Sequence, residues 1–352
     1  MQNIVIPLLN WYYKNKRLLP WRIGKDPYHV WVSEIMLQQT RIEAVINYYH
    51  RFMTELPTIS ALANCSQDKL LKLWEGLGYY NRVRNLQKAA QIITEQYNGV
   101  FPISYQEILA LPGIGEYTAS AISSICFSLP EPTVDGNVLR VYMRVNNCYD
   151  NIDEVKTRKQ VRKTLVQIMP IDSGGFNEAL MELGETICIP NGIPKCNNCP
   201  IKKSCQSYQN NTYLELPVRR NKKSKKEENY TVLLFLFDGM LAISKRKNSG
   251  LLRNMWQFPN IETHLTLSQI QSYLKDRGIC FSKVEQAISY THIFTHKKWN
   301  MCSYVIWLDN TIGFEGVAWV SFQELKDIYA IPTAFVPFKN YLKEKVDQDV
   351  EV

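Results

Sequence analysis

The sequence lacks the features that mark membrane, secreted and repeat proteins. No apolar run among its 352 residues reaches the length needed to cross a membrane, and no segment repeats. The N-terminal stretch MQNIVIPLLNWYYKNK places its charges after a short apolar run and has no small-residue cleavage site, which argues against a signal peptide. The nine cysteines form no repeating disulfide framework. We therefore expect a protein of the reducing cytoplasm without a membrane partner.

The chain does contain enough apolar material for folded cores. Hydrophobic residues make up 45% of its 352 residues, and this length is sufficient for two or three domains. The formal net charge of +8 favours a polyanionic partner such as a nucleic acid, although an ordinary basic enzyme can have the same balance. Composition alone therefore leaves the partner open.

The pattern of apolar residues changes along the chain. From Trp11 to about Leu183 they recur at helical spacing, which predicts a helical first half. The polar, Lys- and Arg-rich stretch SYQNNTYLELPVRRNKKSKKEEN then reads as a solvated linker. Beyond it, Asp238 and Gly239 form a two-residue turn signal between the apolar runs YTVLLFLF and MLAISKR, which predicts a hairpin. Further strands at MCSYVIWL and VAWVS and helices at LSQIQSYLKDR and TAFVPFKNYLKEKV predict an α+β domain.

Four cysteines are concentrated in the run CIPNGIPKCNNCPIKKSC, with the spacing C-x7-C-x2-C-x5-C. Four thiolates in so short a segment can surround one metal centre. A single C-x2-C pair flanked by longer arms favours a 4Fe-4S cluster over zinc, whose usual ribbon has two such pairs, and over unligated thiols. The predicted ligands are Cys188, Cys196, Cys199 and Cys205.

Two carboxylates are candidates for chemistry. Glu34 lies in the apolar helical stretch VWVSEIMLQQT, where it must be exposed, paired, or held with a raised pKa. Asp135 precedes a helical run in VDGNVLRV and is a good helix N-cap, whose capping amides would keep its pKa low. One apolar and one capped carboxylate match the acid and the stabiliser of glycosidic bond cleavage. Each has an ordinary structural explanation, so the pair is more informative than either member.

Two glycine-containing stretches are candidates for phosphate and base contacts. In LPGIGEYTA, Gly113 and Gly115 precede a helix whose free N–H groups can hold a phosphate, although a plain turn between two helices is commoner. In GLGYYNRVRNL, a glycine turn is followed by Tyr79 and by arginines, which mixes stacking rings with phosphate-binding charges. Buried tyrosines and solvated arginines remain the alternative reading.

Seven segments occur in an order that resembles one family. They are LPWR (19–22), SEIMLQQT (33–40), GLGYYNRVRNL (76–86), LPGIGEYTA (111–119), VDGNVLRV (134–141), NEALMELG (177–184) and the cysteine run (188–205). Together they resemble the helix-hairpin-helix DNA glycosylases with an iron-sulfur loop, of the MutY type that removes adenine. The resemblance implies a mainly α, two-lobed helix-hairpin-helix fold with an iron-sulfur loop, followed by a C-terminal α+β Nudix-like domain.

The resemblance also implies domain limits and a substrate. The helical catalytic domain would span 1–207, with the hairpin at 111–119 and the 4Fe-4S loop at 188–205, and a linker at 208–228 would lead to a Nudix-like domain at 229–345. The implied substrate is adenine mispaired with 8-oxoguanine, or with guanine, in double-stranded DNA. The implied protein is a nucleoid-associated monomer.

Individual roles follow from the same resemblance. Glu34 would protonate the flipped adenine and help to activate water, Asp135 would stabilise the oxocarbenium-like sugar, and Tyr117 would lie beside them. Three residues would read or pack the adenine: Arg22, Trp21 and Glu178. Five would contact DNA: Gln39, Thr40, Tyr79, Gly113 and Gly115. Three would contact 8-oxoguanine: Phe294, Thr295 and His296.

The chain departs from the family pattern at three places. Seven residues separate the first two cysteines, where the family usually has six, and Thr295 stands where serine is frequent. The C-terminal domain lacks the R-E-x-x-E-E cluster that holds Mg²⁺, so we expect it to bind without hydrolysing pyrophosphate.

Two alternative functions are an endonuclease III-like glycosylase and lyase on oxidised pyrimidines, and a noncatalytic damage-binding protein. Tyr117 disfavours the first, because a tyrosine cannot replace the lysine that forms a Schiff base.

Overall fold

The computed structural model describes residues 1–220, 224–310 and 316–350. These form two compact units, and each unit is made of two separate stretches of the chain. The first comprises Met1–Asn64 and Asn81–Asn221, and the second comprises Cys65–Tyr80 and Lys222–Val352. Within the described ranges, no helix has both the length and the apolar character that a membrane span requires.

Helices build the first unit, as the helical spacing of its apolar residues predicts. In chain order the α-helices up to the end of this unit are α1 (Val5–Asn15), α2 (Pro27–Leu37), α3 (Ile42–Glu55), α4 (Ile59–Asn64), α5 (Gln67–Leu73), α6 (Asn81–Gln96), α7 (Tyr105–Ala110), α8 (Glu116–Phe127), α9 (Gly136–Val145), α10 (Val155–Val166), α11 (Ser173–Thr186) and α12 (Gln206–Gln209). Short 3₁₀ turns lie at Gln2–Ile4, Pro20–Arg22, Cys196–Asn198 and Lys202–Ser204.

Helix α5 belongs to the second unit rather than to the first. Lys72 donates through Nζ to the carbonyl of Tyr329 at 3.1 Å, and the N–H of Ile331 donates to Glu75 Oε1 at 2.8 Å. These bonds join the segment Cys65–Tyr80 to residues that follow it by more than 250 positions.

Short sequence signals determine where the helices of the candidate site begin and where the chain turns between them. Asp26 caps α2 by accepting the N–H of Tyr28 at 2.8 Å, and Pro27 occupies the first helical position, where its missing N–H costs nothing. The hairpin between α7 and α8 turns at Gly113, whose φ is +80°. A Cβ there would lie 2.6 Å from Asn85 Cβ, so both the backbone conformation and the packing require glycine.

The second unit is a mixed sheet with helices, which confirms the predicted α+β class and the predicted hairpin. Its strands are β1 (Lys226–Phe237), β2 (Met240–Lys245), β3 (Trp256–Gln257), β4 (Asn260–Ile261), β5 (Phe281–Ile293), β6 (Lys297–Leu308) and β7 (Val317–Val320). Their order is β3-β2-β1-β6-β5, with β4 beside β1 and β7 beside β2. Strands β1 and β6 run parallel from the pair Lys226 and Lys297 onward, and the other pairs are antiparallel.

In the described part of the second unit, three further helices cover this sheet: α13 (Leu267–Asp276), α14 (Phe322–Asp327) and α15 (Val336–Val350). Alternate residues of β1 face two different cores, as the period of two in a strand dictates. Val232 and Leu234 pack in one core with Phe338 of α15, whereas Leu233 packs in the other with Leu274 of α13. The sheet is therefore buried on both faces, which explains the nearly continuous apolar run of β1.

Candidate active site

A cleft of about 660 Å³ in the first unit gathers seven of the residues that the sequence singles out. Helices α2, α8, α9 and α11 and the turn Pro20–Arg22 contribute its walls. The seven residues are Trp21, Arg22, Glu34, Thr40, Tyr117, Asp135 and Glu178. The first and the last of them, Trp21 and Glu178, are more than 150 residues apart, so the fold, not the local chain, creates this grouping.

Glu34 is a buried carboxylate of the cleft with one oxygen unpaired. It is 7% exposed, and its Oε2 is buried without a hydrogen-bond partner. Burial raises its pKa from 4.5 to about 7, and the negative charges of Glu178 and Asp135 act in the same direction. The nearby Tyr117 hydroxyl opposes this rise by favouring the anion. Glu34 is thus poised to exchange a proton near neutral pH.

Tyr117 lies on the first turn of α8, near enough to both candidate carboxylates for their charges to act on it. Its hydroxyl donates to Met181 Sδ at 3.2 Å. Burial raises its pKa well above the ordinary value, and the charges of Glu34 and Asp135 add to the effect. The hydroxyl therefore stays protonated and supplies a hydrogen-bond donor rather than a base.

Asp135 caps α9, as its position in the sequence predicts. Its Oδ1 accepts the N–H of Val138 at 2.7 Å, and its Oδ2 accepts from Asn137 Nδ2 at 2.8 Å. The expectation that capping would keep its pKa low is wrong, because burial raises the pKa more than these hydrogen bonds and Arg140 lower it. Asp135 nevertheless differs from Glu34 in having both carboxylate oxygens hydrogen-bonded.

A charged network forms the opposite wall. Arg22 lies between two carboxylates, with Nε 3.2 Å from Glu178 Oε1 and Nη2 2.9 Å from Glu182 Oε2. Tyr12 donates its hydroxyl to Glu178 Oε2 at 2.9 Å. Arg17 pairs with Glu182 Oε1 at 2.5 Å. These partners fix Glu178 and Arg22 in position.

Several residues of this charged wall and of the α9 cap were not predicted from the sequence. Glu182 follows Glu178 by one helical turn within NEALMELG, and Asn137 lies within VDGNVLRV, so both were within reach of a motif argument. No sequence signal pointed to Tyr12, because its partner is 166 residues away.

The other predicted DNA contacts lie outside this cleft. Gly115 precedes α8 and leaves its first-turn N–H groups without a side-chain cap. Gln39 and Tyr79 are not glycine, yet both have left-handed backbones, with φ of +61° and +49°. This conformation costs about 1–2 kcal/mol for an ordinary residue.

The residues predicted to contact 8-oxoguanine form the turn between β5 and β6 in the second unit. The turn closes through the N–H of Phe294, which donates to the carbonyl of Lys297 at 2.8 Å. The Phe294 ring packs edge-on against Trp299, with centroids 4.8 Å apart. Thr295 Oγ1 lies 2.5 Å from the hydroxyl of Tyr79, another predicted DNA contact. His296 completes the turn.

The four cysteines line one small apolar cavity of about 30 Å³. All four are half-buried. Arg144 donates to Cys188 Sγ at 3.3 Å and to the carbonyl of Ile189 at 3.0 Å, and burial raises the pKa of Cys199 to about 12. Among the described residues, no three ligating side chains lie close enough to hold a single metal ion. Four thiols around one cavity, braced by a cation, are a donor set that fits a cluster.

Two family models match the chain. One describes the HhH-GPD superfamily of base excision DNA repair proteins and matches residues 32–170. The other describes the NUDIX domain and matches residues 230–340. The two matches correspond to the helical part and to the mixed sheet, and they confirm the predicted fold class.

Curated relatives named adenine DNA glycosylase match over most of the chain. The relative from Buchnera aphidicola subsp. Baizongia pistaciae is 38% identical over 82% of this chain and 82% of its own length. The chain belongs to the adenine DNA glycosylase family. The relative from Rattus norvegicus is 30% identical over 93% of this chain and 75% of its own length.

Solved structures support the same fold for the helical part. A thermostable thymine-DNA glycosylase has 27% identity and a TM-score of 0.53, and it covers 59% of this chain and 97% of its own. A trapped endonuclease III–DNA intermediate has 24% identity and a TM-score of 0.51, over 60% of this chain and 97% of its own, and shows the fold alone. Membership of the adenine DNA glycosylase family identifies the chain as a base-excision repair enzyme that hydrolyses the N-glycosidic bond of adenine.

The buried Glu34 predicts a pH-dependent gain in stability for Glu34→Gln. The folded-state pKa of about 7 lies above the ordinary 4.5, so the native wild type binds the extra proton between these values and loses stability as pH rises through them. At about 1.4 kcal/mol per pKa unit, this loss is about 3 kcal/mol and is complete above pH 7. Glutamine cannot ionise and avoids it. Urea unfolding of both proteins between pH 4.5 and 8 measures the difference.

A matched control is Glu95→Gln on the exposed face of α6. It makes the same chemical change without removing a buried carboxyl, so its stability should follow the wild type at every pH. A constant difference between Glu34→Gln and the wild type across this range would contradict the raised pKa.

Proposed function

We propose that this adenine DNA glycosylase acts as a monomer on duplex DNA and removes adenine opposite 8-oxoguanine or guanine. Glu34 is the general acid and Asp135 stabilises the cationic sugar. The observation that carries the proposal is the contrast within one cleft: Glu34 has an unpartnered Oε2 and a pKa of about 7, whereas both oxygens of Asp135 are hydrogen-bonded. Glycosidic cleavage needs one carboxyl that gives a proton and one that stays charged.

The proposed reaction begins with proton transfer from Glu34 to a ring nitrogen of the flipped adenine. The bond between the base and the sugar then breaks, its electron pair leaves with the base, and positive charge develops on the sugar. Water adds to the sugar carbon and returns its proton to the Glu34 carboxylate. An acid with a pKa near the working pH is suited to both proton transfers.

Asp135 remains the anion in this scheme. Its hydrogen bonds from Val138 and Asn137 favour the charged form, as does the positive charge of Arg140. A cation that develops in the cleft adds a further favourable charge, which offsets the cost of burial. Fixed negative charge beside a developing cation lowers the barrier without any rearrangement.

The wall of the cleft that contains Glu178 supports recognition of adenine. Tyr12 donates a hydrogen bond to Glu178 and Arg22 forms an ion pair with it, so its carboxylate is held as an acceptor. Adenine presents an exocyclic amino group, which is a donor, whereas guanine presents a carbonyl in the same place. Trp21, buried and packed edge-on against Tyr49 at 5.2 Å, gives the pocket a rigid apolar surface.

The proposed contacts to DNA come from the glycine hairpin between α7 and α8 and from two residues with left-handed backbones. Gly113 and Gly115 leave backbone N–H groups at the start of α8 for a phosphate. Gln39 and Tyr79, which retain left-handed backbones, would enter the base stack while adenine is flipped out, with Thr40 beside Gln39. Filling the stack offsets the few kcal/mol that base extrusion costs.

Recognition of 8-oxoguanine is assigned to Phe294, Thr295 and His296. The turn offers backbone and side-chain hydrogen-bonding groups to the damaged base. The packing of Phe294 against Trp299 holds the turn in place. The bond between Thr295 and Tyr79 joins two predicted DNA-contacting segments that are 216 residues apart.

Cys188, Cys196, Cys199 and Cys205 would hold a 4Fe-4S cluster. Such a cluster takes one thiolate on each iron, so its four sulfurs surround a common space without meeting at one ion. When bound, the group supplies a covalent cross-link for the loop and no part of the hydrolysis. The additional residue between Cys188 and Cys196 lies in this loop, where length is most readily absorbed.

Removal of the acid should abolish excision while sparing DNA binding. Glu34→Gln keeps the shape of the side chain but cannot donate a carboxyl proton, so single-turnover release of adenine from an A:8-oxoguanine duplex should fall by roughly 10²-fold or more. The wild-type rate should fall as pH rises above about 7, because the proton is then lost from Glu34. Duplex affinity, measured by fluorescence anisotropy, should be unchanged within a factor of a few.

Glu95→Gln is again the matched control and should excise at the wild-type rate. Near-wild-type excision by Glu34→Gln would remove Glu34 from the mechanism.

Treating the wild-type reaction with borohydride tests the lyase alternative. Tyr117 has no amine, so little enzyme should become linked to DNA. Efficient linkage would favour the endonuclease III-like activity instead.

The cysteine loop should contain iron in protein purified without oxygen. We expect a brown protein with broad absorbance near 400 nm, about where thiolate-to-iron charge transfer falls, and four iron atoms per chain by metal analysis. Cys199→Ser should lose colour and iron, whereas Cys280→Ser, outside the loop and exposed, should keep both. A colourless, active wild type with stoichiometric zinc would contradict the cluster.

The choice of opposing base should depend on the turn between β5 and β6. If His296 makes one buried hydrogen bond to 8-oxoguanine, His296→Ala should reduce the preference for 8-oxoguanine over guanine by about 1–3 kcal/mol. Single-turnover excision and affinity with both duplexes measure this ratio. His50→Ala, an exposed histidine on α3, is the control and should leave it unchanged. Equal losses on both duplexes for His296→Ala would indicate general DNA contact without base recognition.

A further inference from the structure

The turn between β5 and β6 lies beside the first residues of β1. Lys225 donates through Nζ to the carbonyl of Phe294 at 2.8 Å, and the N–H of Lys226 donates to the carbonyl of His296 at 3.2 Å. The parallel pairing of β1 with β6 begins at Lys226 and Lys297. The start of β1 therefore contacts the backbone of the turn and of the strand that follows it.

Glu228, the third residue of β1, bonds to two side chains at the start of β6. Its Oε1 lies 2.6 Å from Lys297 Nζ, and its Oε2 accepts from Trp299 Nε1 at 3.0 Å and from the Tyr230 hydroxyl at 3.3 Å. The hydrogen bond from Lys297 lowers the pKa of Glu228 to about 2, and the bond from Trp299 acts in the same direction. Glu228 is therefore an anion throughout the neutral range of pH, and its bonds are charge-assisted.

Trp299 connects this carboxylate with the turn. The Trp299 side chain is buried, and Glu228 supplies the acceptor that a buried indole N–H needs. On the same indole, the Phe294 ring packs edge-on, with centroids 4.8 Å apart. The bond from Trp299 to Glu228 thus fixes the surface against which the first residue of the turn is packed.

Glu227 makes similar contacts on the opposite face of the sheet, as the alternation of side chains in a strand dictates. It accepts from Lys298 Nζ at 3.0 Å and from Asn300 Nδ2 at 3.0 Å. Its side chain is 57% exposed, against 17% for Glu228. Glu227 therefore has the same charge and joins the same two strands, but it lies on the face away from Trp299.

We propose that Glu228 is a positioning residue for recognition of the base opposite adenine: by holding Lys297 and Trp299, it fixes the turn in the arrangement that distinguishes 8-oxoguanine from guanine. This inference rests on the proposed function of the turn. The two bases differ only at adjacent ring atoms, so the groups that read them must be held to within about 0.5 Å. Discrimination is a difference between two affinities, so a small displacement of the turn reduces it while binding to DNA is retained.

Glu228→Gln tests the proposal, because an amide of the same shape has no charge and one acceptor oxygen in place of two. In the free full-length protein, hydrogen–deuterium exchange over residues 293–297, measured by mass spectrometry, should become faster as the turn is held less firmly. The ratio of single-turnover excision rates on A:8-oxoguanine and A:guanine duplexes should fall by roughly fivefold, the usual cost of one hydrogen bond. Glu227→Gln is the matched control and should change neither measurement.

The excision ratio separates positioning from general stability, because a weakened fold slows excision on both duplexes equally. Equal slowing on both duplexes, unchanged exchange in the turn, or the same ratio for Glu228→Gln and Glu227→Gln would overturn the inference.

His296→Ala, measured in parallel, distinguishes this failure from failure of the proposed function. If His296→Ala lowers the ratio and Glu228→Gln does not, the turn reads the base without Glu228, and only the inference is wrong. If neither variant alters the ratio, the assignment of 8-oxoguanine recognition to the turn is itself wrong, and the inference fails with it.

Discussion

Two buried arginines on α9 connect the catalytic cleft with the cysteine loop. Arg140 donates to Asn137 Oδ1 at 2.8 Å, and Asn137 donates in turn to Asp135 Oδ2 at 2.8 Å. Further along the same helix, Arg144 donates to Cys188 Sγ at 3.3 Å. A buried guanidinium is costly unless its donors are satisfied, so these bonds constrain both ends together. The position of Asp135 and the shape of the loop are therefore consequences of one helix.

The proposed mechanism requires one neutral and one charged carboxyl in the cleft at the same pH. Burial alone cannot separate them, because it raises the pKa of both Glu34 and Asp135. Hydrogen bonds distinguish the two carboxyl groups: Val138 and Asn137 donate to Asp135, whereas Glu34 Oε2 has no partner. The wall opposite uses paired charges, since Arg22 is balanced by carboxylates on α11.

Local chemistry explains what could be predicted from the sequence. Helical spacing, the Asp135 cap, the glycine hairpin and the turn at Asp238 and Gly239 all depend on neighbours in the chain, and the structure contains each of them. Strand β5 was not predicted, because its register shifts near Lys283 and Ser289 interrupt the alternation that marks a strand.

Long-range partners explain what could not be predicted. The pairing of Tyr12 with Glu178, the parallel alignment of β1 with β6, and the association of Cys65–Tyr80 with the second unit all join distant segments. The error over the pKa of Asp135 has the same origin. Its capping partners are three residues or fewer away and visible in the sequence, whereas the burial that outweighs them comes from the packed fold.

The costly state of Glu34 also explains how the proposed cycle closes. After it gives its proton to the base, the carboxylate is an anion in a site that disfavours anions, close to the negative charges of Glu178 and Asp135. That anion is a stronger base than an exposed glutamate, so it accepts the proton of the attacking water readily. The positive sugar stabilises Asp135 at the same moment, because opposite charges favour each other's ionised form. The burial that makes Glu34 an effective acid thus also restores it for the next turnover.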